Sequence, residues 1–224
     1  MYNNIFFVAT KRSGHHAVLT WFAKQMTEPV RHYNDLDPVA LLNGKIVPLG
    51  GISGATYDGK GKQKNIFSFE DIYMDQVEKL ERHFRAEVTT IIVLRDIRNT
   101  IASLIKSTSK KLLERRLKNS INAWRQYAYA ILNGDKNYII YDKWFKDKEY
   151  RQQICTIFNI PFTDEGLNIV PKNANGSSFD QMRYQGKAQQ MNVLNRWKAY
   201  NKDRVFNEFC TQELKNINEK ILCL

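Results

Sequence analysis

The chain has 224 residues, 43% of them apolar and 12% aromatic, enough for a packed core and too much for a disordered chain. Lys and Arg number 34 against 23 Asp and Glu, and the formal charge of +11 favours anionic partners (nucleotide, nucleic acid, acidic glycan or membrane surface) without choosing among them. Three scattered cysteines, Cys155, Cys210 and Cys223, argue against a disulfide framework and a zinc site, and no apolar run reaches the length of a membrane span.

The first residues already read as a strand, which leaves no room for a signal peptide; the expectation is one cytoplasmic domain over residues 1–224. Ile5 to Ala9 is a short apolar run of the buried parallel type. Val18, Trp21, Phe22 and Met26 follow at helical spacing. Residues 43–64, rich in Gly and Lys, have no period and read as loop. Asn65 to Phe69 predicts a second strand, and Tyr73, Val77, Leu80 and Phe84 a helix stripe. Thr89 to Leu94, "TTIIVL", is the strongest strand in the chain.

Ile97 to Ile105 opens a helix, and Ile121, Trp124, Ala128 and Ile131 mark a longer one. "NYIIYD", Asn137 to Asp142, predicts another strand, followed by a helix through Tyr150, Ile154, Ile157 and Phe158. Residues 171–192 read as a long polar loop, and Phe206, Cys210, Leu214, Ile217 and Ile221 as one final amphipathic helix. Alternating strands and helices imply an α/β fold, a mostly parallel central sheet flanked by helices. Ligands in such sheets bind beyond the carboxyl ends of the strands.

Two of those ends carry chemistry. After the first strand come Lys11, Arg12, Ser13 and Gly14, with His15 and His16 opening the helix. A helix start offers backbone N–H groups without helical partners, and the dipole adds positive charge there. With a glycine for close approach and two cations beside it, this turn is suited to a phosphate. It is not a Walker A loop, because GxxxxGK[ST] is absent. After the strongest strand comes "LRDIRNTIASL", Leu94 to Leu104, in which Arg95 offers paired planar donors and Ser103 a hydroxyl. An ordinary basic turn and a salt-bridged Arg95–Asp96 corner are the plainer readings.

Taken in order, the two motifs resemble those of the sulfotransferases that use 3′-phosphoadenosine 5′-phosphosulfate (PAPS). The first resembles the family's 5′-phosphosulfate loop, K/R-x-G-T-T, with His15 and His16 in place of the two threonines. The second resembles its 3′-phosphate motif, with Arg95 and Ser103 on the phosphate-binding positions and Ile97 in place of proline. "YIIYDKW…ICTIFNIP", "GSSF" (Gly176 to Phe179) and "NRWKAY" (Asn195 to Tyr200) extend the resemblance along most of the chain, with gaps at 28–64 and 105–136. In the late loop, Arg183, Gly186 and Lys187 approximate the family's "RKG" contact to the 3′-phosphate, and Trp197 is open between core and ligand.

The resemblance implies a three-layer P-loop-like fold, PAPS as donor and no metal. It also implies an acceptor hydroxyl, with a carbohydrate as the class suggested by the family's breadth and the charged surface. It places Lys11, Arg12, Ser13, Gly14, His15 and His16 around the 5′ end, with Arg12 as the catalytic cation. Glu70, in "FSFEDIYMD", stands where such enzymes carry a general base; a helix-capping role is its alternative and His16 or His15 its rival. His32 and His83 read as surface or structural residues. The basic run Lys106 to Lys118 is a solvated helix face or steers an anion. A kinase or NTPase lacks its loop lysine, a nucleic-acid module lacks any motif, and a nucleotide-binding relative without catalysis is the remaining alternative.

Overall fold

The computed structural model describes residues 4–47, 55–56, 64–84, 88–171, 177 and 179–224. Its centre is strand β1 (Asn4–Ala9), buried along its whole length. β1 pairs in parallel with β5 (Lys64–Glu70) on one side and β6 (Val88–Leu94) on the other. β2 (Val30–Tyr33) and β7 (Asn137–Ile140) close the edges, giving a five-stranded parallel sheet in the order β2-β5-β1-β6-β7.

Both faces of that sheet are covered, which is why β1 and β6 read as continuous apolar runs. Phe6 and Val8 face one core layer, while Ile5, Phe7 and Ala9 face the other, the period-two division of a strand. The first layer lies under α3 (Met74–Phe84), α4 (Ile97–Ser107), α5 (Lys110–Leu132), α8 (Arg204–Phe209) and α9 (Gln212–Cys223). The second lies under α1 (His15–Lys24), α6 (Tyr141–Lys146) and α7 (Lys148–Ile157). The expected three-layer arrangement is therefore present, and among the described residues no helix is long and apolar enough to cross a membrane.

Several boundaries differ from the expectation, each for a physical reason. The strand expected over Asn137 to Asp142 stops at Ile140, the last residue paired with β6. There the chain turns into α6, and the Asp142 carboxylate accepts from the Asp96 amide at 2.7 Å. The final helix is two helices: Thr211 accepts from the Leu214 amide and caps α9, while buried Cys210 carries the apolar stripe across the break. Ile157, one of the four apolar residues that marked the helix of Tyr150 to Phe158, closes α7 at 69% exposure. Glu70 is the last residue of β5 rather than one beyond it.

Two elements had no expectation. β2, "VRHY", is a half-buried edge strand without an apolar run. α2 (Pro38–Leu42) is started by Asp37, which accepts from the amides of Val39 and Ala40, with Pro38 at the first position. Within the loop expected over 43–64, β3 (Lys45–Ile46) pairs antiparallel with β4 (Ala55–Thr56); residues 48–54 and 57–63 lie outside the described residues. The loop expected over 171–192 includes a short 3₁₀ turn, Ala188–Gln190, and its residues 172–176 and 178 also lie outside them.

α1 ends at Lys24, before Met26, because Gln25 is tied to a neighbouring segment. Its Oε1 accepts from Thr163 N at 2.8 Å, Thr163 Oγ1 at 3.0 Å and Asp164 N at 3.0 Å. Its Nε2 donates to the carbonyls of Trp21 at 2.8 Å and Glu165 at 2.9 Å. Gln25→Ala strips partners from several of these groups at once, and urea unfolding is expected to show a loss of roughly 2–4 kcal/mol.

Candidate functional site

The sheet order sets three strand ends side by side. Ala9 lies opposite Glu70 in one register and opposite Val93 in the other. The loops that leave β5, β1 and β6 therefore emerge together on the carboxyl edge, where the strand order reverses about β1.

The β1 and β5 loops hold each other. Arg12 and Asp71 both have left-handed backbone, with φ of 65° and 57°, a conformation of order 1 kcal/mol for non-glycine residues that neighbours must enforce. Asp71 N donates to Ala9 O at 2.9 Å, and Lys11 N donates to Asp71 Oδ1 at 2.9 Å. Ser120 Oγ, from α5, donates to Asp71 Oδ2 at 2.9 Å. Gly14 has φ of 82°, and a Cβ there would lie 2.6 Å from Tyr141 Cε2, so both conformation and space demand glycine. α1 then starts without a side-chain cap or an acidic residue in its first turn, so its positive end is left for an anion.

The β6 end presents a buried cation. Arg95 is 2% exposed, yet its neighbour Asp96 pairs with Arg98 at 2.7 Å instead. Arg95 forms no ion pair among the described residues. One terminal nitrogen donates to Arg12 O at 3.2 Å and the other to Val193 O, while Nε is buried without a hydrogen-bond partner. The guanidinium carbon lies 4.8 Å from the Tyr141 ring centroid. Trp124 Nε1 donates to Arg95 O at 2.8 Å and fixes the backbone.

A cavity of about 300 Å³ joins these parts. Lys11, Arg12, Gly14, His15, His16 and Glu70 line it from one side, and Arg95 and Ser103 from another. Of the residues expected there, Ser13 is buried beneath the loop, 3.4 Å from His15 Nδ1. Arg183, Gly186 and Lys187 are exposed and do not reach the cavity. Arg196 reaches it from the same late segment, held by Asp180 and by Ser177 Oγ at 2.8 Å. "GSSF" contributes Ser177 to the lining; its Gly176 and Ser178 lie outside the described residues. Trp197 packs half-buried against the core, under Arg98 at 4.6 Å.

Glu70 Oε1 faces two imidazoles whose rings lie 4.0 Å apart, at 3.5 Å from His15 Nε2 and 3.6 Å from His16 Nε2. Burial, reinforced by Asp35 and Asp71, pushes its carboxyl up to about 8 against the pull of Lys11 and Arg12. Burial also lowers His16 to about 4, with Arg12 assisting, and holds His15 well below the ordinary histidine value. Both imidazoles are therefore neutral near pH 7. His32, expected to be a surface or structural residue, lies 6.3 Å ring to ring from His16 and is lowered to about 4 in the same way; its Nε2 is 2.9 Å from Ser68 Oγ. His83 is exposed. His15, His16 and Glu70 offer three ligand atoms within 4.8 Å of one another, a spacing that also admits a metal ion.

Sequence reasoning missed Arg196 and Tyr141. "NRWKAY" marked the right segment for Arg196, but nothing in it told which basic residue turns inward. Tyr141 was hidden in a stretch read as strand.

No protein-family profile and no curated protein sequence matches the chain. Solved structures do. The sulfotransferase domain from the curacin biosynthetic pathway superposes with a TM-score of 0.60 at 13% identity, covering 97% of this chain and 96% of that one. The sulfotransferase domain of the Synechococcus PCC 7002 olefin synthase gives 0.59 at 11%, covering 99% and 95%. Mouse sulfotransferase SULT7A1 complexed with PAP gives 0.56 at 12%, covering 97% and 88%. Over nearly its whole length, the chain has the sulfotransferase fold.

Proposed function

We propose that the protein is a PAPS-dependent sulfotransferase, a single domain over residues 1–224 that transfers a sulfuryl group to an acceptor hydroxyl, that of a carbohydrate. The observation that carries this reading is Arg95, a buried guanidinium that forms no ion pair among the described residues, in a cavity that also holds a capless helix start. A buried cation is costly unless an anion meets it. Two such anion-seeking features in one cavity suit a ligand with two anionic ends, and the mouse neighbour was solved with PAP. The three cysteines are unpaired, as in a reducing cytoplasm.

In this reading the amides at the start of α1, with Lys11 and Arg12, take the 5′ phosphosulfate, while Arg95, Ser103 and Arg196 take the 3′ phosphate. The donor supplies an activated sulfuryl group. The acceptor oxygen forms a bond to sulfur, and the bond from sulfur to the bridging phosphate oxygen breaks with its electron pair on that oxygen. Arg12, partly buried and aimed into the cavity, stabilises the charge that grows there. The acceptor proton passes to the Glu70 carboxylate, which lies beside the neutral imidazoles of His15 and His16. A raised carboxyl is a stronger base once ionised, which suits it to an alcohol.

Adenosine 3′,5′-bisphosphate is expected to raise the melting temperature, and ATP with magnesium is not; Arg95→Ala abolishes the shift while keeping the fold. An equal or larger shift with ATP and magnesium supports a kinase-like protein instead.

Glu70→Gln is expected to lower turnover about 10²–10⁴-fold and to spare nucleotide binding. In the unsubstituted protein kcat/KM rises with pH and levels off above about 8, and this limb is missing from the variant. Stability has the opposite sign. A carboxyl raised on folding contributes fully below its ordinary 4.5 and loses that contribution as pH climbs through 8. Glu70→Gln therefore flattens the decline in stability over that window. A chelator leaves turnover unchanged; loss of activity on chelation would reassign His15, His16 and Glu70 as metal ligands.

A further inference from the structure

We propose that His15, His16 and Glu70 form a zinc site in the wall of the cavity, and that zinc bound there blocks the acceptor position. The site stands on geometry alone, while its effect on turnover rests on the sulfotransferase reading.

The ligand atoms sit on two rigid elements. Glu70 is the last residue of β5, its backbone in register with Ala9 of β1. His15 and His16 are the first two residues of α1, after the left-handed turn at Gly14. Neighbouring residues of a helix point about 100° apart. These two rings nonetheless lie 4.0 Å centre to centre, and both Nε2 atoms face one oxygen, Glu70 Oε1. The separations are 3.5 Å and 3.6 Å, and all three ligand atoms lie within 4.8 Å of one another. Tetrahedral zinc with bonds of about 2.0–2.1 Å holds its ligands about 3.3–3.4 Å apart, so two of the three edges are close to the required length.

A second observation points the same way. His15 is 1% exposed and lines the cavity, and its Nε2 is buried without a hydrogen-bond partner. Burying such an atom unmatched costs stability. Ser13 Oγ lies 3.4 Å from the other ring nitrogen, Nδ1. A proton on Nδ1, donated to that hydroxyl, leaves the Nε2 lone pair facing Glu70, the tautomer that a metal requires.

Two imidazoles and one carboxylate select zinc over magnesium or calcium, which take oxygen ligands. Three protein ligands leave a fourth position, and the cavity of about 300 Å³ has room for a water there. Asp35 and Asp71, whose charges act on Glu70, offset Lys11 and Arg12 on the same side. Both histidines stand where the resembled phosphosulfate loop carries threonines, so the site belongs to this chain's departure from that loop.

Zinc and the acceptor's proton compete for the same carboxylate. An ion on Glu70 engages the lone pair that would receive the proton, and its water fills the place of the acceptor hydroxyl. The metal-free chain is therefore the active form, and removing ions leaves its turnover unchanged. Arg95 and Ser103, on another side of the cavity, stay open to the nucleotide.

The test takes the full chain freed of metal with EDTA and dialysed, then titrates it with zinc chloride by calorimetry and with cobalt chloride by visible absorption. One zinc is expected per chain, with a Kd on the order of 10⁻⁶ M or below. Cobalt is expected to give the intense bands of a four-coordinate ion without a thiolate charge-transfer band. His16→Ala and Glu70→Gln should each weaken zinc binding at least about tenfold. His83→Ala/Cys223→Ser, which removes exposed ligands elsewhere, should weaken it less than about threefold. Circular dichroism checks the fold of each variant, and the cobalt spectrum tests the ligand set without any substitution. No zinc binding, binding unchanged in both ligand variants, an equal loss in the control, or a cobalt spectrum of six-coordinate or thiolate type overturns the site. Transfer of label from PAPS to a mixture of sugars is expected to stop with one equivalent of zinc and to resume with EDTA. Transfer that persists or quickens with zinc bound overturns the block. A bisphosphate shift absent from the metal-free protein overturns the sulfotransferase reading instead, and the zinc titration still decides the site.

Discussion

The arrangement depends on one buried guanidinium that forms no ion pair among the described residues. Arg95 is fixed by neutral groups: the carbonyls of Arg12 and Val193, the face of Tyr141, and a backbone pinned by Trp124. Asp96, the nearest acid in sequence, is spent on Arg98 and on starting α4. Those same contacts tie the β1 loop and the late segment to the end of β6. Asn99 adds a second tie, donating to Leu194 O at 2.9 Å and accepting from Trp197 N at 3.3 Å. The residue that seeks an anion thus also organises the walls of the cavity in which the anion would sit.

Desolvation acts on the opposite wall with the reverse result. The burial that keeps His15, His16 and His32 neutral keeps a proton on Glu70, because both effects disfavour charge in the same dry space. Asp35 and Asp71 reinforce the rise at Glu70, and Lys11, 3.9 Å from Asp35, moderates it. The wall that carries Glu70 therefore mixes neutral but ionisable groups with the cations Lys11 and Arg12. Cations set beside a protonated carboxyl suit a reaction in which negative charge builds on one partner while a proton leaves the other.

The ends of the central strands were legible because burial on both faces writes itself as apolar runs, in "IFFVA" and "TTIIVL". The turns that follow carry Arg12, Gly14 and Arg95, so half of the cavity could be located from order along the chain alone. What escaped is set by tertiary contact. β2 is an edge strand whose "VRHY" has no apolar pattern, and the break before α9 rests on a single capping threonine within an uninterrupted apolar stripe. In the late segment several basic residues stand close together, and only packing against Asp180 and Ser177 turns Arg196 inward while Arg183 and Lys187 stay outside. His32 comes within 6.3 Å of His16, ring to ring, only because the unforeseen β2 pairs beside β5.

The most direct measurement compares the dissociation constants of adenosine 3′,5′-bisphosphate, adenosine 5′-monophosphate and adenosine 3′-monophosphate by calorimetry. If the β1 loop and Arg95 hold opposite ends of one nucleotide, the bisphosphate binds at least about a hundredfold more tightly than either monophosphate. In Arg95→Ala, its advantage over the 5′-monophosphate disappears. Equal affinities for all three nucleotides, or a bisphosphate advantage that survives the substitution, would contradict the account.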